Sequence, residues 1–482
     1  MPFLTVDVGS SQVKAGLVSE EGRLLSSARR PVRIIHGEGP NEHETEAGEW
    51  VEAAFEAMAE TLQGQAAPRA LAVSGNGPTL VALDAAGRPL GRALSWMDRR
   101  ASSEAALVSR LAGLPIDASF YLPKALWFAR RHPEAGRIRR FMSCPEHLLF
   151  ELTGEAWTYL PDPGYQPYIW SDALIEGAGL EASLFPPFIE PGIRAGGLRP
   201  QAAARLGLPP GIPAFAGFPD FLAGLVGAGI VEEGMAGDRG GTSEALNIAA
   251  RAPYPGRGLL SLPHAIPGLW NLSGGLSTSG KALEWLAANL GLGDVGELLG
   301  LAESAEPGAR GLVFLPYLAG ERAPLWDPDR RAAFVGLSLS HGRAEMARAA
   351  CEALCFGLRF PAELAAAAGF PPTVLRTLGL LGRNPFMAST KAAILGLPLE
   401  IPEVQDSELV GDAAACAKGL GDHADLRTAS KAMARMAGRV EPAAGTEERY
   451  EEAYGLWKEA LGALAHVDAH RASTSFARKE EP

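Results

Sequence analysis

Apolar and polar positions along the first hundred residues fall into short blocks of changing period. Residues 3–8 are a short, mainly apolar run closed by Gly9-Ser10-Ser11, the pattern of a buried first strand. Residues 13–18 and 24–28 flank Ser19-Glu20-Glu21-Gly22, which reads as a hairpin turn. Trp50, Val51, Ala54, Met58 and Leu62 then recur at helical spacing, with Gly64 as a stop. Residues 71–73 and 80–83 return to strand character. Strands mixed with helices from the outset predict an α/β architecture.

Residues 161–213 are rich in Pro, Gly and aromatic residues and show no clean period, so an irregular stretch lining something is expected. The apolar stretch 214–231 is interrupted by Pro219, Asp220 and several glycines; it is a poor membrane span and reads as a loop leading into a buried helix. A second cycle opens near residue 245. Leu283, Leu286 and Leu290 mark a helix ending at Gly291, and residues 311–315 read as a strand. Met346, Ala350, Leu354 and Leu358 line one face of a longer helix, as do Tyr450, Tyr454, Trp457, Leu461 and Leu464 near the C-terminus. Residues 470–482 look like a solvated tail. No short-period repeat is visible. Ala252-Pro253-Tyr254-Pro255-Gly256 is linker-like, and the simplest division is two α/β lobes, residues 1–246 and 247–482.

Composition narrows the function more than the fold. With 47% hydrophobic and 21% charged residues over 482 positions, the chain can bury a sizeable core and is not disordered. A net charge of −12 argues against nucleic acid or an anionic membrane as the main partner, while leaving room for a local phosphate pocket. Cys144, Cys351, Cys355 and Cys416 make no C-x-x-C pair and no disulfide framework; Cys351 and Cys355 share a helix face and read most simply as core thiols. No basic stretch precedes an apolar run at the start, so no signal peptide is expected and the location expected is the cytoplasm.

Four strings could carry chemistry. Asp7, at the end of the first strand, could hold Mg²⁺ through water, with Gly9, Ser10, Ser11 and Lys14 around phosphate oxygens. A strand-end Asp stabilising a turn beside an exposed lysine is the plainer alternative. Asp220 is a lone acid in an apolar stretch, where burial without a partner is costly; it is either a helix N-cap or an acid placed for proton transfer. Gly240-Gly241-Thr242-Ser243 is a phosphate-binding turn or an ordinary strand-to-strand turn. Gly379-Leu380-Leu381-Gly382-Arg383-Asn384-Pro385 is a nucleotide contact or an ordinary strand-to-helix turn. No P-loop, G-x-G-x-x-G, H-E-x-x-H or G-x-S-x-G spacing occurs, and the nine histidines show no metal-ligand spacing.

The order of these strings is more specific than any one of them. Asp7-x-Gly9-Ser10-Ser11-x-x-Lys14 resembles the phosphate hairpin that opens the FGGY carbohydrate kinases, with Ser10 where Thr is usual. Trp96-Met97-Asp98-Arg99-Arg100 is similar to that family's W-x-D-x-R segment, and Asp220 and Gly241-Thr242-Ser243 fall where it has its catalytic Asp and second phosphate loop. Gly280-Lys281-Ala282-Leu283-Glu284-Trp285 follows, then residues 314–324, and Phe334-Val335-Gly336-Leu337 resembles the segment that names the family. The resemblance covers about residues 1–465. It implies two actin-like, ribonuclease-H-like lobes with a cleft between them, and Mg²⁺-dependent transfer of phosphoryl from ATP to a sugar or polyol hydroxyl. It implies Asp220 as the base, Asp7 supporting Mg²⁺, and Ser10, Ser11, Lys14, Gly241, Thr242 and Ser243 on phosphates. Gly379, Gly382, Arg383 and Asn384 are implied beside the nucleotide, and Asn76, Gly77, Pro78, Trp96, Asp98 and Asp220 beside the sugar.

The departures bear on substrate. Xylulokinase-like members read G-Q-M-H-G where this chain has Gly75-Asn76-Gly77-Pro78-Thr79. Glu146-His147 stands where Asp-Tyr is common, the triple-glycine turn has become Gly379-Leu380-Leu381-Gly382, and Glu244 follows the G-T-S loop where glycine is frequent. A ketopentose such as xylulose is the leading acceptor, with gluconate, another ketose or a polyol as alternatives. A catalytically degenerate binding protein is the alternative of another class. The partners expected are a small sugar or polyol and ATP, not nucleic acid or membrane, and a homodimer is allowed.

Overall fold

The first strand, Phe3–Val8, is buried at every position and sits inside its sheet as its pattern predicts. It pairs antiparallel with Gln12–Val18, which pairs antiparallel with Leu24–Pro31. On its other side it pairs parallel with Ala70–Gly75, and that strand with Pro213–Pro219. A computed structural model describes residues 1–37, 39 and 41–473 of the chain. They fall into two units. One comprises Met1–Gly229, Pro263–Pro267 and Asp406–Arg435; the other comprises Ile230–Leu262, Gly268–Gln405 and the C-terminal segment from Met436.

The second unit repeats the plan of the first. Met235–Gly240 pairs antiparallel with Glu244–Ala250, which pairs antiparallel with Trp270–Leu276, while Val374–Thr377 and then Leu399–Pro402 add on parallel. Three strands in a meander followed by two parallel ones thus occur twice, in sequences too diverged to show a repeat. The helix Ala47–Leu62 covers the first sheet, and Arg343–Ala367 with Glu447–Ala463 builds the core of the second unit, where Tyr454, Trp457 and Cys351 are buried.

The boundaries differ from the expected 246/247 division. Met235–Gly240 belongs to the second sheet, because its parallel partner is Val374–Thr377. Asp406–Arg435 returns to the first unit because the helix Ser407–Gly419 packs on the helix Asp220–Gly227. The stretch 214–231 is not a loop before a helix but the strand Pro213–Pro219 running straight into Asp220–Gly227. The stretch 161–213 is not structureless either: it holds the helices Asp172–Ala178 and Pro200–Leu206 and the strand Arg194–Gly197. Seven-residue helices complete only about two turns, too few to set up a visible period. The expected tail still carries helix at Ala465–Ala472, and residues 474–482 lie outside the described residues. Among the described residues no helix is long and apolar enough to cross a membrane.

Candidate active site

In the first unit, three adjacent parallel strands end at one edge of the sheet. Gly75 pairs with Val8 on one side and with Pro219 on the other. The residues that follow those three positions are Gly9-Ser10-Ser11, Asn76-Gly77-Pro78-Thr79 and Asp220, so three segments separated in sequence meet at the carboxyl ends of neighbouring strands. That is where open α/β sheets place ligand sites. Asp220 opens its helix with Pro219 in the N-cap position, so it is not the cap. Its Oδ1 accepts the Phe221 N–H at 2.6 Å.

Asp7 is almost wholly buried, 3.6 Å from the Lys14 Nζ. Lys14 also lies 3.1 Å from Asp406 and 3.8 Å from Glu408. Burial disfavours its ammonium, but Glu408, Asp7 and Asp406 together hold its pKa above the ordinary lysine range. Lys14 is therefore not an exposed lysine beside a turn; it is a fixed cation against the strand-end acid. Asp406 and Glu408 come from a distant part of the chain, and no local motif announces them.

The segments expected around the sugar divide into those that face the edge and those that build it. Trp96 donates its Nε1–H to the Ser10 hydroxyl at 2.7 Å and so braces the hairpin. Asp98, expected beside the sugar, is 0% exposed, and its carboxylate accepts the His43 N–H at 2.8 Å and the Arg100 guanidinium. It holds its own turn together. Asn76 is braced from within as well. It donates to the Val8 carbonyl at 2.8 Å and accepts from the Thr79 hydroxyl, so both ends of its amide are used internally. Gly77 and Pro78 stay partly exposed.

Beneath that turn lies a residue the sequence reading missed. Lys124 is fully buried and donates to the carbonyls of Pro78 at 2.8 Å and Ser95 at 2.5 Å. Burial pushes its ammonium down to about 7, against the pull of Asp98 and Asp117. Two carbonyls match the two N–H bonds of a neutral amine. Between pH 7 and about 10.4 the unfolded chain binds the lysine proton that the folded chain has lost, so folding gains stability as pH rises through that window. The stability of the wild type relative to Lys124→Met is expected to grow from pH 7 to pH 10 in urea titrations; a difference that stays flat contradicts a buried neutral lysine.

The second unit has the equivalent edge. Gly241-Thr242-Ser243 joins Met235–Gly240 to Glu244–Ala250 as Gly9-Ser10-Ser11 joins the first two strands of the other sheet, and its hydroxyl residues are exposed. It is indeed a strand-to-strand turn. The Gly379 turn lies directly against it: a Cβ on Gly379 would stand 2.5 Å from the Gly240 carbonyl oxygen, so only glycine allows the approach. Asn384 caps the helix Pro385–Leu395 by accepting the Met387 N–H at 3.1 Å, and Arg383 donates to the Pro402 carbonyl at 2.5 Å. Of the two bulky residues in this turn, Leu381 packs on the core and Leu380 is 68% exposed.

Under both turns Lys391 is buried and bonded to Asp238 and to Glu244. The other Glu244 oxygen accepts the Ser279 hydroxyl at 2.7 Å, and Asp238 accepts the Leu378 N–H at 3.1 Å. Burial opposes the ammonium, but Asp238 and Glu244 overcome it and hold Lys391 charged, while burial pushes the Asp238 carboxyl up. One cation thereby ties the hairpin, the Gly379 turn and the start of the helix Gly280–Asn289 together. Glu244, a departure in the sequence, is thus a structural partner of Lys391. Among the described residues no cluster of three or more His, Cys, Asp or Glu could hold a metal ion. Asp7 nevertheless suits Mg²⁺, which prefers oxygen, keeps several waters and is commonly held by one or two carboxylates together with substrate phosphates.

Comparison with known proteins finds two family domains along the chain. Residues 3–227 match the N-terminal domain of the FGGY family of carbohydrate kinases, and residues 239–420 match its C-terminal domain. A xylulose kinase of Staphylococcus epidermidis is 27% identical over 94% of this chain and 95% of its own. A glycerol kinase of Gloeobacter violaceus is 29% identical over 95% of this chain and 96% of its own. The crystal structure of a xylulose kinase from Rhodospirillum rubrum superposes with a TM-score of 0.84 at 25% identity, covering 97% of this chain and all of that one. The architecture is the mixed α/β, two-domain fold of the actin-like ATPases, with its two mixed sheets. The chain belongs to the FGGY family of carbohydrate kinases, as an ATP-binding, xylulokinase-like member.

Proposed function

We propose that this kinase transfers the γ-phosphoryl group of ATP to a hydroxyl of a ketopentose such as xylulose, with Asp220 as general base. The observation that carries the reading is the convergence of Asp7, the Asn76–Thr79 turn and Asp220 on one sheet edge. Phosphoryl transfer demands alignment, neutralisation of phosphate charge and a base beside the acceptor oxygen. Asp220 accepts the proton as the sugar oxygen attacks phosphorus. Ser10, Ser11 and Lys14 in the first unit, and Gly241, Thr242 and Ser243 in the second, bind phosphate oxygens. Gly379, Gly382, Arg383 and Asn384 flank the nucleotide. Asp7 would hold Mg²⁺ through water, and the bound ion would offset the negative charge of the phosphates.

An uncharged acceptor is favoured over gluconate. Around the turn, Arg99 is engaged by Asp117 and Arg100 by Asp98 and Glu44, Lys14 is held among three carboxylates at the phosphate hairpin, and Lys124 is a neutral amine bonded to two carbonyls. A sugar carboxylate would meet Asp220 without a cation to offset it. ADP release from Mg·ATP in the presence of D-xylulose, glycerol or D-gluconate tests this ranking. Turnover of D-xylulose above the other two supports it, and preference for D-gluconate overturns it.

A further inference from the structure

Gly77 lies two residues beyond the position that pairs with both Val8 and Pro219, at the centre of the acceptor edge. It has no side chain to offer, and the space one would enter is already taken. A Cβ on Gly77 would lie 2.5 Å from the hydroxyl oxygen of Tyr121. Tyr121 opens the helix Tyr121–Arg131, the same helix whose Lys124 holds the Pro78 carbonyl from below. Its ring is fixed edge-on to Trp170, with centroids 5.9 Å apart and planes at 78°. The residue is partly exposed, and its hydroxyl has no hydrogen-bond partner among the described residues. Burial, and after it the nearby Glu146, Cys144 and Asp220, hold the phenol well above its ordinary pKa, so it is a donor throughout the working range. A rigid ring therefore carries an unused donor over a bare glycine, close enough to Asp220 to feel its charge.

We infer that Tyr121 is the specificity-determining residue of the acceptor site, donating a hydrogen bond to a sugar oxygen from a hydroxyl seated where a side chain on Gly77 would stand. The inference rests on the kinase reading above and deepens it. The phenol neither takes nor gives a proton during transfer; it orients the acceptor so that the attacking hydroxyl reaches Asp220. The bond is made to the bound sugar before and during transfer alike, and so acts on KM more than on kcat.

The test compares Tyr121→Phe, Gly77→Ala and the double variant with whichever of D-xylulose, glycerol and D-gluconate the wild type phosphorylates. Tyr121→Phe keeps the ring contact with Trp170, and its melting temperature should match the wild type. Its acceptor KM is expected to rise about fivefold or more, with kcat and the KM for Mg·ATP within about twofold. Gly77→Ala should raise acceptor KM by itself and cost clearly less on the Tyr121→Phe background, where the hydroxyl it would strike is gone. Should Tyr121→Phe melt early, Gly77→Ala alone decides. An acceptor KM unchanged in the variants, with Asp220-dependent turnover persisting, overturns this inference and leaves the kinase reading standing. Failure of the wild type to phosphorylate any of the three removes the kinase reading, and this inference with it.

Discussion

Asp220→Asn is expected to lower turnover by about a hundred- to ten-thousand-fold, the usual contribution of a positioned general base. The amide is the same size as the carboxylate, and its oxygen can still accept the Phe221 N–H that Asp220 accepts at 2.6 Å. The start of the helix and the packing behind it should be unchanged, with melting temperature and Mg·ATP affinity retained. Only basicity is lost. A variant that binds Mg·ATP normally but no longer phosphorylates its sugar is therefore the expected phenotype, measured by calorimetry beside steady-state kinetics. Turnover left within about threefold of the wild type would place the base elsewhere.

Lys391→Met should produce the largest loss of stability. Its ammonium is the shared partner of Asp238 and Glu244, and all three are buried. Removing it leaves two carboxylates facing each other away from water, which costs about 3–5 kcal/mol. The loss concerns function as well as folding, because those acids stand at the base of the Gly241–Ser243 hairpin and beside the Gly379 turn. Mg·ATP affinity should fall together with the unfolding free energy. Lys391→Met combined with Glu244→Gln should recover part of both, since one of the two stranded charges is then gone. A loss of less than about 1 kcal/mol in the single variant would mean that the triad does not hold the loop.

The opening strands of the first sheet are legible where an apolar run ends in Gly or Ser, as at residues 3–8, and the long helices where the period runs for several turns, as from Met346 to Leu358, whereas the sequence reading names no strand of the seven-stranded second sheet. What sequence alone left out is mostly long-range. Lys14 is read locally as an exposed lysine, and only the return of Asp406–Arg435 to the first unit supplies the acids that fix it. Asp98 is expected beside the sugar from its motif, and its bonds to Arg100 and His43 are not visible there. Lys124 and Lys391 carried a weak signal of their own: each is a lone charge in an apolar helical stretch, Leu-Pro-Lys-Ala-Leu-Trp and Ser-Thr-Lys-Ala-Ala-Ile. Such a lysine must find acceptors when buried, but the sequence does not say which. The Gly77–Tyr121 approach is invisible in sequence, because nothing in either string predicts that a hydroxyl will occupy the space over a glycine.

In the proposed reaction phosphoryl passes from ATP to a sugar hydroxyl rather than to water. Mass spectrometry of the products formed from Mg·ATP and D-xylulose tests it most directly. A sugar monophosphate formed in step with ADP, and absent with Asp220→Asn, is the expected result. ADP accompanied by inorganic phosphate and unchanged sugar, across D-xylulose, glycerol and D-gluconate alike, would contradict it.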